Sequence, residues 1–427
     1  MRTKEEQLLL RKTPGGTPVI VDRLSYSRSA AVAVYIGVGS RDEPQEKCGI
    51  AHLLEHLLFK GTESHTSREI SQLVEAAGGE MNGYTGKEVT CYFVQTIDET
   101  VKVAEDLLAE MMSEPLFEKK DLEMEKKVVV QEIKMAEDEP ENYIHELLAK
   151  AAWDGNPMSN PESGSVECIM PIRSSDVRAF YEESYRPPHL TVVATGNVDV
   201  SQVVDWATRS FDDMPRTTSR IERTPPVFHP GVQLFPRKGD QVYAAMGFPG
   251  VPVSHPDRMV HSMVSVVLGA GTSSRLYQKV REENGLVYSI MAMAYPFTDT
   301  GIFGINFSTS SENAGKVFQL VASELKRMKE DGLEDGELVR AKRWLKGLIV
   351  RKLEPMENRM FFLGEQYLQT KKLMTEDQIL EKMEAVTEED MARSAGEILD
   401  PKKMSLVLHM AKKEGSAMAR SLGSLDF

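Results

Sequence analysis

The stretch AHLLEHLLFK, residues 51–60, places two histidines four positions apart among leucines. An α-helix turns by about 100° per residue, so His52, Glu55 and His56 fall in one sector about 100° wide. The leucines fall on the opposite side, which predicts a helix with one buried apolar face and one polar face. Two imidazoles at this spacing can coordinate one metal ion, and neutral imidazole nitrogen is a good zinc ligand. Glu55 lies beside His56, where it can act on a water without binding the metal.

The same pattern also arises by chance on amphipathic helices, so a metal site requires a third ligand from elsewhere in the chain. The stretch DLEMEKKVVVQEIKMAEDE, residues 121–139, predicts a helix whose apolar stripe carries Glu125 and Glu132, two turns apart. A buried carboxylate needs a cation or strong donors. Glu132 is therefore a candidate third ligand, and Glu125 a hydrogen-bond partner for a ligating histidine. The alternative is a helix whose glutamates pair with buried Arg or Lys.

Strand-like and helical patterns follow one order twice along the chain. In the first half the strand-like segments are TPVIVDRL, AAVAVYIGVGS, TCYFVQTI and LTVVATG, with helical patterns at 49–59, 66–77 and 99–137. In the second half they are GVQLFPR, QVYAAMGFPG, GLVYSIMAMAY, GIFGINFST and MSLVLHM, with helices between 256 and 283 and two long helices later. A shift of 216 residues places Val101 on Val317 and Met112 on Met328. Two related domains are the simplest explanation.

We expect a first domain at 1–215, a linker at 216–230, a second domain at 231–415 and a flexible tail at 416–427. The second copy does not retain the candidate site. Its matching positions carry Arg258, His261, Ser262 and Leu348. A feature needed only for packing would be kept in both copies, so this loss favours a chemical role in the first.

Composition narrows the class of protein. The 427 residues are 41% hydrophobic and 27% charged, with a net charge of −14, which is typical of a globular protein and argues against duplex nucleic-acid binding. The three cysteines form no CxxC motif, so we expect reduced thiols. The N-terminal residues resemble neither a signal peptide nor an anchor, and no stretch approaches the roughly 18 apolar residues of a membrane span. We expect a cytoplasmic protein without membrane contact.

The motif His-x-x-Glu-His, with a glutamate 76 positions after the second histidine, resembles the inverted zinc motif of the pitrilysin family of metallopeptidases. The segments GIAHLLEHLLFKGT, MNGYTGKEVTCYF and VVVQEIKM are similar to family segments around the metal. The resemblance implies an α+β fold of two homologous domains, each a mostly antiparallel sheet packed with helices, together forming half of a clamshell. It implies a zinc endopeptidase with Zn²⁺ on His52, His56 and Glu132. Glu55 would be the general base, and Glu125 would support a ligand.

The resemblance also implies residues beyond the metal. In SSRLYQKVREENGLVYSI, an arginine and a tyrosine seven residues apart match a family pair that reaches the active site from the facing half of the clamshell. Arg281 would hold the substrate backbone and Tyr288 would stabilise the oxyanion. Without the resemblance, they are a surface arginine and a tyrosine in a strand. A substrate-binding edge strand is implied at four positions: Asn82, Gly83, Tyr84 and Thr85.

The expected partners follow from chain length and from the family. One-chain relatives carry four such domains, whereas this chain has room for two, and it holds both the metal motif and the Arg/Tyr pair. A homodimer acting on peptides or unfolded segments is therefore implied. Two alternatives remain: a non-catalytic scaffold relative, or one subunit of an obligate heterodimeric processing peptidase.

Overall fold

The computed structural model describes residues 6–423 and 427, which pack into two compact units. Among these residues, the first unit comprises 6–134, 160–223 and 350–375. The second comprises 135–159, 224–349, 376–423 and Phe427. Each unit is therefore discontinuous along the chain.

The strands form one sheet in each unit. In chain order they are β1 (Glu6–Lys12), β2 (Pro18–Leu24), β3 (Ser29–Ile36), β4 (Glu80–Thr85), β5 (Thr90–Ile97), β6 (Leu190–Gly196), β7 (Gly231–Pro236), β8 (Gln241–Pro249), β9 (Ile290–Pro296), β10 (Gly301–Ser310) and β11 (Ser405–Met410). Within the described residues, the first sheet has the order β1-β2-β6-β3-β5-β4 and the second β7-β11-β8-β10-β9. The pairs β2–β6 and β7–β11 are parallel, and the other pairs are antiparallel.

Helices cover both sheets. In chain order they are α1 (Ile50–Leu58), α2 (Ser67–Ala76), α3 (Val101–Ser113), α4 (Lys119–Asp138), α5 (Pro140–Ala152), α6 (Val166–Ile169), α7 (Ser174–Ser184), α8 (Val200–Phe211), α9 (Arg258–Gly269), α10 (Ala314–Glu330), α11 (Glu337–Lys352), α12 (Met356–Thr370), α13 (Glu376–Glu384), α14 (Glu388–Ile398) and α15 (Lys412–Leu422). The expected α+β fold, with two mostly antiparallel sheets packed against helices, is confirmed. None of the helices in the described part of the chain has the length and apolar character of a membrane span.

The sheet of the first unit is buried on both faces, which explains why β3 and β6 read as nearly continuous apolar runs. One face packs against α1, α3 and α8 in the main core of this unit. The other face packs against α12, where Met360 and Leu363 contact the sheet around Tyr35 and Val193. The second sheet is covered on one face by α5, whose Leu148 packs with Ala245.

The helices α5 and α12 are exchanged relative to the order of the sequence. The first half of the chain supplies α5 to the second unit, and the second half supplies α12 to the first. The continuous domains expected at 1–215 and 231–415 differ from the compact units in this respect, because packing rather than chain order decides which sheet each helix covers. The expected flexible tail at 416–427 contains the end of α15, with Leu422 buried in the core, while residues 424–426 lie outside the described residues.

The expectation of three reduced thiols is wrong for two of them. Cys48 and Cys168 form a disulfide with their Cα atoms 5.5 Å apart, and Cys91 is a buried free thiol. The partners are 120 residues apart in sequence, so no local motif could reveal the pair. The cytoplasmic location remains a prediction, and this disulfide weighs against a strongly reducing compartment, where such bonds rarely persist.

Substitution of Gly364 tests the packing of α12 on the first sheet. A β-carbon at this position would lie 2.3 Å from Cζ of Tyr35, so we expect Gly364→Ala to lower the free energy of unfolding by about 1–3 kcal/mol through overpacking. Urea denaturation measures this change. The control is Gly396→Ala on α14, where a β-carbon meets nothing within 4 Å and alanine should stabilise the helix by about 0.5–1 kcal/mol. Equal effects of the two changes would contradict the close packing.

Thiol counting tests the disulfide. Alkylation of the denatured protein without reductant should modify Cys91 alone, because the other two sulfurs are bonded to each other. Alkylation after reduction should modify all three. Mass spectrometry of the intact chain distinguishes the two products, and three modified thiols without reductant would refute the pairing.

Candidate metal centre

The helix α1 is fixed by its leucines and by a carboxylate at its start. Leu53, Leu54 and Leu57 are at most 1% exposed and belong to the core of the first unit. Before the helix, the buried Glu43 accepts hydrogen bonds from the backbone N–H groups of Gly49 (2.7 Å) and Ala51 (2.8 Å). These donors would otherwise be unpaired at a helix N-terminus. Burial raises the pKa of Glu43 to about 8, an effect that the two backbone donors oppose.

His52 and His56 emerge from the face of α1 opposite the leucines, as predicted from the sequence. Their ring centroids are 4.7 Å apart, and both side chains are mostly buried. Burial, with a contribution from His56, lowers the pKa of His52 to about 4. His52 is therefore neutral at pH 7, the form in which an imidazole nitrogen can bind a metal.

Glu132 on α4 faces the two histidines. Its Oε2 lies 3.4 Å from Nε2 of His56 and 3.8 Å from Nε2 of His52. Each of the three residues offers one possible metal-ligand atom, and these atoms lie within 4.8 Å of one another. No other such cluster of His, Cys, Asp or Glu side chains occurs in the described residues.

The hydrogen bonding of the three residues fits a metal ion. Two of their buried polar atoms, Nδ1 of His52 and Oε2 of Glu132, have no hydrogen-bond partner among the described residues. Buried polar atoms are normally paired, so the unpaired carboxylate oxygen beside two imidazoles fits a position at which a cation could bind. Two imidazoles and one carboxylate form a ligand set typical of catalytic zinc.

Glu125 lies behind His56, two turns before Glu132 on α4. It is 3% exposed, and its Oε2 lies 3.0 Å from Nδ1 of His56. Its Oε1 lies 2.7 Å from Nζ of Lys60, a residue that the sequence analysis did not single out. The alternative of a glutamate paired with a cation thus holds for Glu125, in addition to its contact with the histidine. The only indication of this contact in the sequence is that Lys60 follows His56 by four residues, about one helical turn.

Glu55 is 8% exposed and points towards strand β4. The hydroxyl of Thr85 donates a hydrogen bond of 2.7 Å to Oε2 of Glu55. Burial raises the pKa of Glu55, while Thr85 and His56 oppose this shift. A β-carbon on Gly83 would lie 3.2 Å from Cγ of Glu55, so the glycine allows β4 to approach the carboxylate closely. The resemblance implies substrate binding for Gly83 and Thr85, and their contact with Glu55 is apparent only from the structure.

Strand β4 is at the edge of its sheet and pairs only with β5 among the described strands. Tyr84 points to the face opposite Glu55, where its hydroxyl donates a hydrogen bond of 2.9 Å to Glu365 of α12. Its ring packs edge-on against Phe361. Asn82 is exposed. The four predicted residues therefore lie on an edge strand anchored on one face by α12 and on the other by contact with Glu55.

Arg281 and Tyr288 lie together in the second unit. Arg281 lies within a π-helical turn at Tyr277–Glu282, and its guanidinium donates a hydrogen bond to the backbone carbonyl of Tyr288. The guanidinium carbon also lies 5.0 Å from the centroid of the Tyr288 ring. Tyr288 is 76% exposed, which is unusual for an aromatic residue. The pair therefore forms one exposed feature of the second unit, whereas the three candidate ligands belong to the first.

Helix α9 is the counterpart of α1 in the second unit and carries no comparable set of ligands among the described residues. His261 takes the place of Glu55 and is buried at 5% exposure. Burial lowers the pKa of His261 to about 4, so it is a neutral core residue at pH 7. The loss of the motif in the second copy, noted from the sequence, thus leaves a packed core helix.

Two family models match the chain. One, described as "Insulinase (Peptidase family M16)", covers residues 19–165. The other, described as "Peptidase M16 inactive domain", covers residues 171–345. The first match contains the three candidate ligands and Glu55, and the second contains Arg281 and Tyr288.

Curated relatives and solved structures align with most of this chain. It is 32% identical to an uncharacterized zinc protease of Streptomyces coelicolor, over 95% of this chain and 90% of that protein. It is also 32% identical to the uncharacterized zinc protease YmxG of Bacillus subtilis, over 87% and 90% of the two chains. The fold matches the crystal structure of a peptidase M16 inactive domain from Pseudomonas fluorescens, with a TM-score of 0.87, 20% identity and coverage of 95% of this chain and 98% of that chain. A protease from Helicobacter pylori matches with a TM-score of 0.86, 20% identity and coverage of 95% and 99%.

The family models and the relatives agree with the resemblance seen in the motif around His52 and His56. This chain belongs to peptidase family M16.

Proposed function

We propose that the protein is a zinc-dependent endopeptidase that hydrolyses peptides or unfolded segments. The observation that carries this proposal is the convergence of His52, His56 and Glu132 within 4.8 Å, with the carboxylate of Glu55 on the same helix face. The names of the relatives, which describe zinc proteases, support the choice of zinc. A zinc ion held by His52, His56 and Glu132 would supply Lewis-acid activation of water and of a peptide carbonyl.

Glu55 serves as the general base. It takes a proton from the attacking water at a carboxylate oxygen and returns it to the nitrogen of the leaving amine. The raised pKa of Glu55, caused by burial, suits both transfers because the ideal pKa of such a group lies near the working pH. Thr85 holds Oε2 of Glu55, which leaves Oε1 for the water.

The peptide adds to the free edge of β4 as an extra strand. Such binding uses main-chain hydrogen bonds and therefore tolerates many sequences. Asn82, Gly83, Tyr84 and Thr85 lie on this strand, and two of them, Gly83 and Thr85, contact Glu55. A peptide must be extended to bind in this way, which favours peptides and unfolded segments as substrates.

We infer that Arg281 and Tyr288 act on the substrate bound to a partner subunit of a homodimer. The high exposure of Tyr288 supports this role, because its hydroxyl is available to a partner. Tyr288 would donate a hydrogen bond to the oxyanion, and Arg281 would hold the substrate backbone. A donor of this type typically contributes about 3–4 kcal/mol to transition-state stabilisation.

Zinc content and peptide cleavage by the purified chain distinguish the proposed enzyme from a heterodimer subunit and from a non-catalytic scaffold. The proposed enzyme binds about one zinc ion per chain and cleaves an unstructured peptide. A chain that binds zinc without cleaving would be one subunit of a heterodimer. A chain that does neither would be a scaffold, which the description of the second family match as an inactive domain makes worth testing.

Replacement of Glu55 separates metal binding from proton transfer. Glu55→Gln should retain zinc, because Glu55 is not one of the three candidate ligands. It should lower kcat by about 10²–10⁴-fold through loss of the general base. Metal analysis and cleavage of a fluorogenic peptide measure the two effects. Glu75→Gln, an exposed position on α2, is the charge-matched control, and a parallel loss of zinc in Glu55→Gln would refute the role as base.

Subunit mixing tests the action of Tyr288 on the partner. Glu55→Gln and Tyr288→Phe should each be nearly inactive alone. After exchange of subunits, half of the dimers are mixed and each has one intact site, so we expect about a quarter of the wild-type activity. The same two proteins mixed without time for exchange are the control. No recovery after verified exchange would contradict a site completed by the partner.

A further inference from the structure

Lys60 extends the metal centre beyond the three candidate ligands and Glu55 through its contact with Glu125. It follows α1, and its ammonium group lies 2.7 Å from Oε1 of Glu125. The other oxygen of Glu125 lies 3.0 Å from Nδ1 of His56. The Glu125 side chain is only 4% exposed and the Lys60 side chain 33%, so the contact is largely shielded from water. Lys60, Glu125 and His56 thus form a chain of contacts that ends at a candidate metal ligand.

Each oxygen of Glu125 has a different partner. A buried carboxylate is costly unless both of its oxygens find donors, and a hydrogen bond that involves ionised groups is stronger than a neutral one. Lys60 occupies one oxygen and so leaves the other for the N–H group at Nδ1 of His56. With that proton on Nδ1, the lone pair of His56 is on Nε2, the atom that faces Glu132 at 3.4 Å.

The charges around the site support the same role for Lys60. Glu55, Glu125 and Glu132 are three carboxylates on the facing helices α1 and α4. A divalent ion balances two negative charges, and Lys60 balances the third. Among the described residues, Lys60 is the lysine or arginine that forms an ion pair with one of these three carboxylates.

We propose that Lys60 is a positioning residue of the metal centre, which orients Glu125 and through it His56 for binding a divalent cation. This inference rests on the proposed function of the three ligands as a zinc site. His52 has no such support, since its Nδ1 is buried without a hydrogen-bond partner in the described structure. Lys60 therefore acts on one of the two histidines only.

A simpler role is possible for a lysine at this position, because a cation near a helix C-terminus interacts favourably with the helix dipole. That role would affect stability and not the affinity for zinc. The two roles are separated by measuring zinc affinity in a folded, metal-free protein.

The experiment measures the zinc dissociation constant of the full-length chain by competition with a chromophoric chelator, without peptide. Lys60→Met should bind zinc about 10–100-fold more weakly, and Lys60→Arg should restore most of the loss because arginine also donates to a carboxylate. Lys127→Met, at an exposed position on α4, removes the same charge and should leave zinc affinity unchanged. Thermal unfolding of the metal-free variants verifies that each one is folded.

A double variant tests the path through Glu125. If Lys60 acts by orienting Glu125, then Lys60→Met combined with Glu125→Gln should bind zinc as weakly as Glu125→Gln alone. Losses that multiply would overturn the proposal, and so would unchanged zinc affinity in Lys60→Met. Failure of the wild-type chain to bind zinc would instead refute the proposed metal centre, so the two failures are distinguishable.

Discussion

Burial of the leucine face of α1 is the constraint on which the candidate site depends. Exposing a buried leucine costs about 1.5–3 kcal/mol, so turning the helix to expose its four leucines would cost on the order of 10 kcal/mol. This is comparable with the whole stability of a domain. The orientation of α1 is therefore set by the core, and this orientation places His52 and His56 on the opposite side of the helix. Glu132 reaches the two histidines because its helix, α4, packs beside α1 at the required distance.

Several carboxylates lie close together around α1, and burying them would be unfavourable without hydrogen-bond partners. Of these four carboxylates, three have a particular partner. Glu43 pairs with backbone donors before α1, Glu55 with Thr85, and Glu125 with Lys60 and His56. Glu132 is the exception, because its buried oxygen has no hydrogen-bond partner in the described residues. The unpaired atom lies beside both histidines, at the position proposed for the zinc ion.

The exchange of α5 and α12 connects the site to the second half of the chain. Edge strand β4 rests on α12 through Tyr84, Phe361 and Glu365. The same helix covers Tyr35 in the middle of the sheet. The strand proposed to bind the peptide is thus supported by residues about 280 positions away in sequence. The second half of the chain therefore has a structural role in the unit that contains the candidate metal centre, in addition to carrying Arg281 and Tyr288.

Local patterns in the sequence determined much of the secondary structure and the two faces of α1. The segments TCYFVQTI and LTVVATG match β5 and β6 residue for residue, and the apolar periodicity placed His52, Glu55 and His56 on one side. Such features are encoded within a few turns or one strand, where the spacing of side chains decides what can be buried. Strand β1 was missed, because EQLLLRK lacks a clear alternation and is stabilised by pairing with β2.

Only the tertiary structure decided which distant residues meet. The disulfide between Cys48 and Cys168, the hydrogen bond from Thr85 to Glu55 and the contact of Lys60 with Glu125 each join separate elements. Tertiary packing likewise decided which sheet α5 and α12 each cover. A single sequence records which side chains lie on one face of a helix or strand. The partner of that face depends on how all the elements pack at once, and this is a property of the whole folded chain.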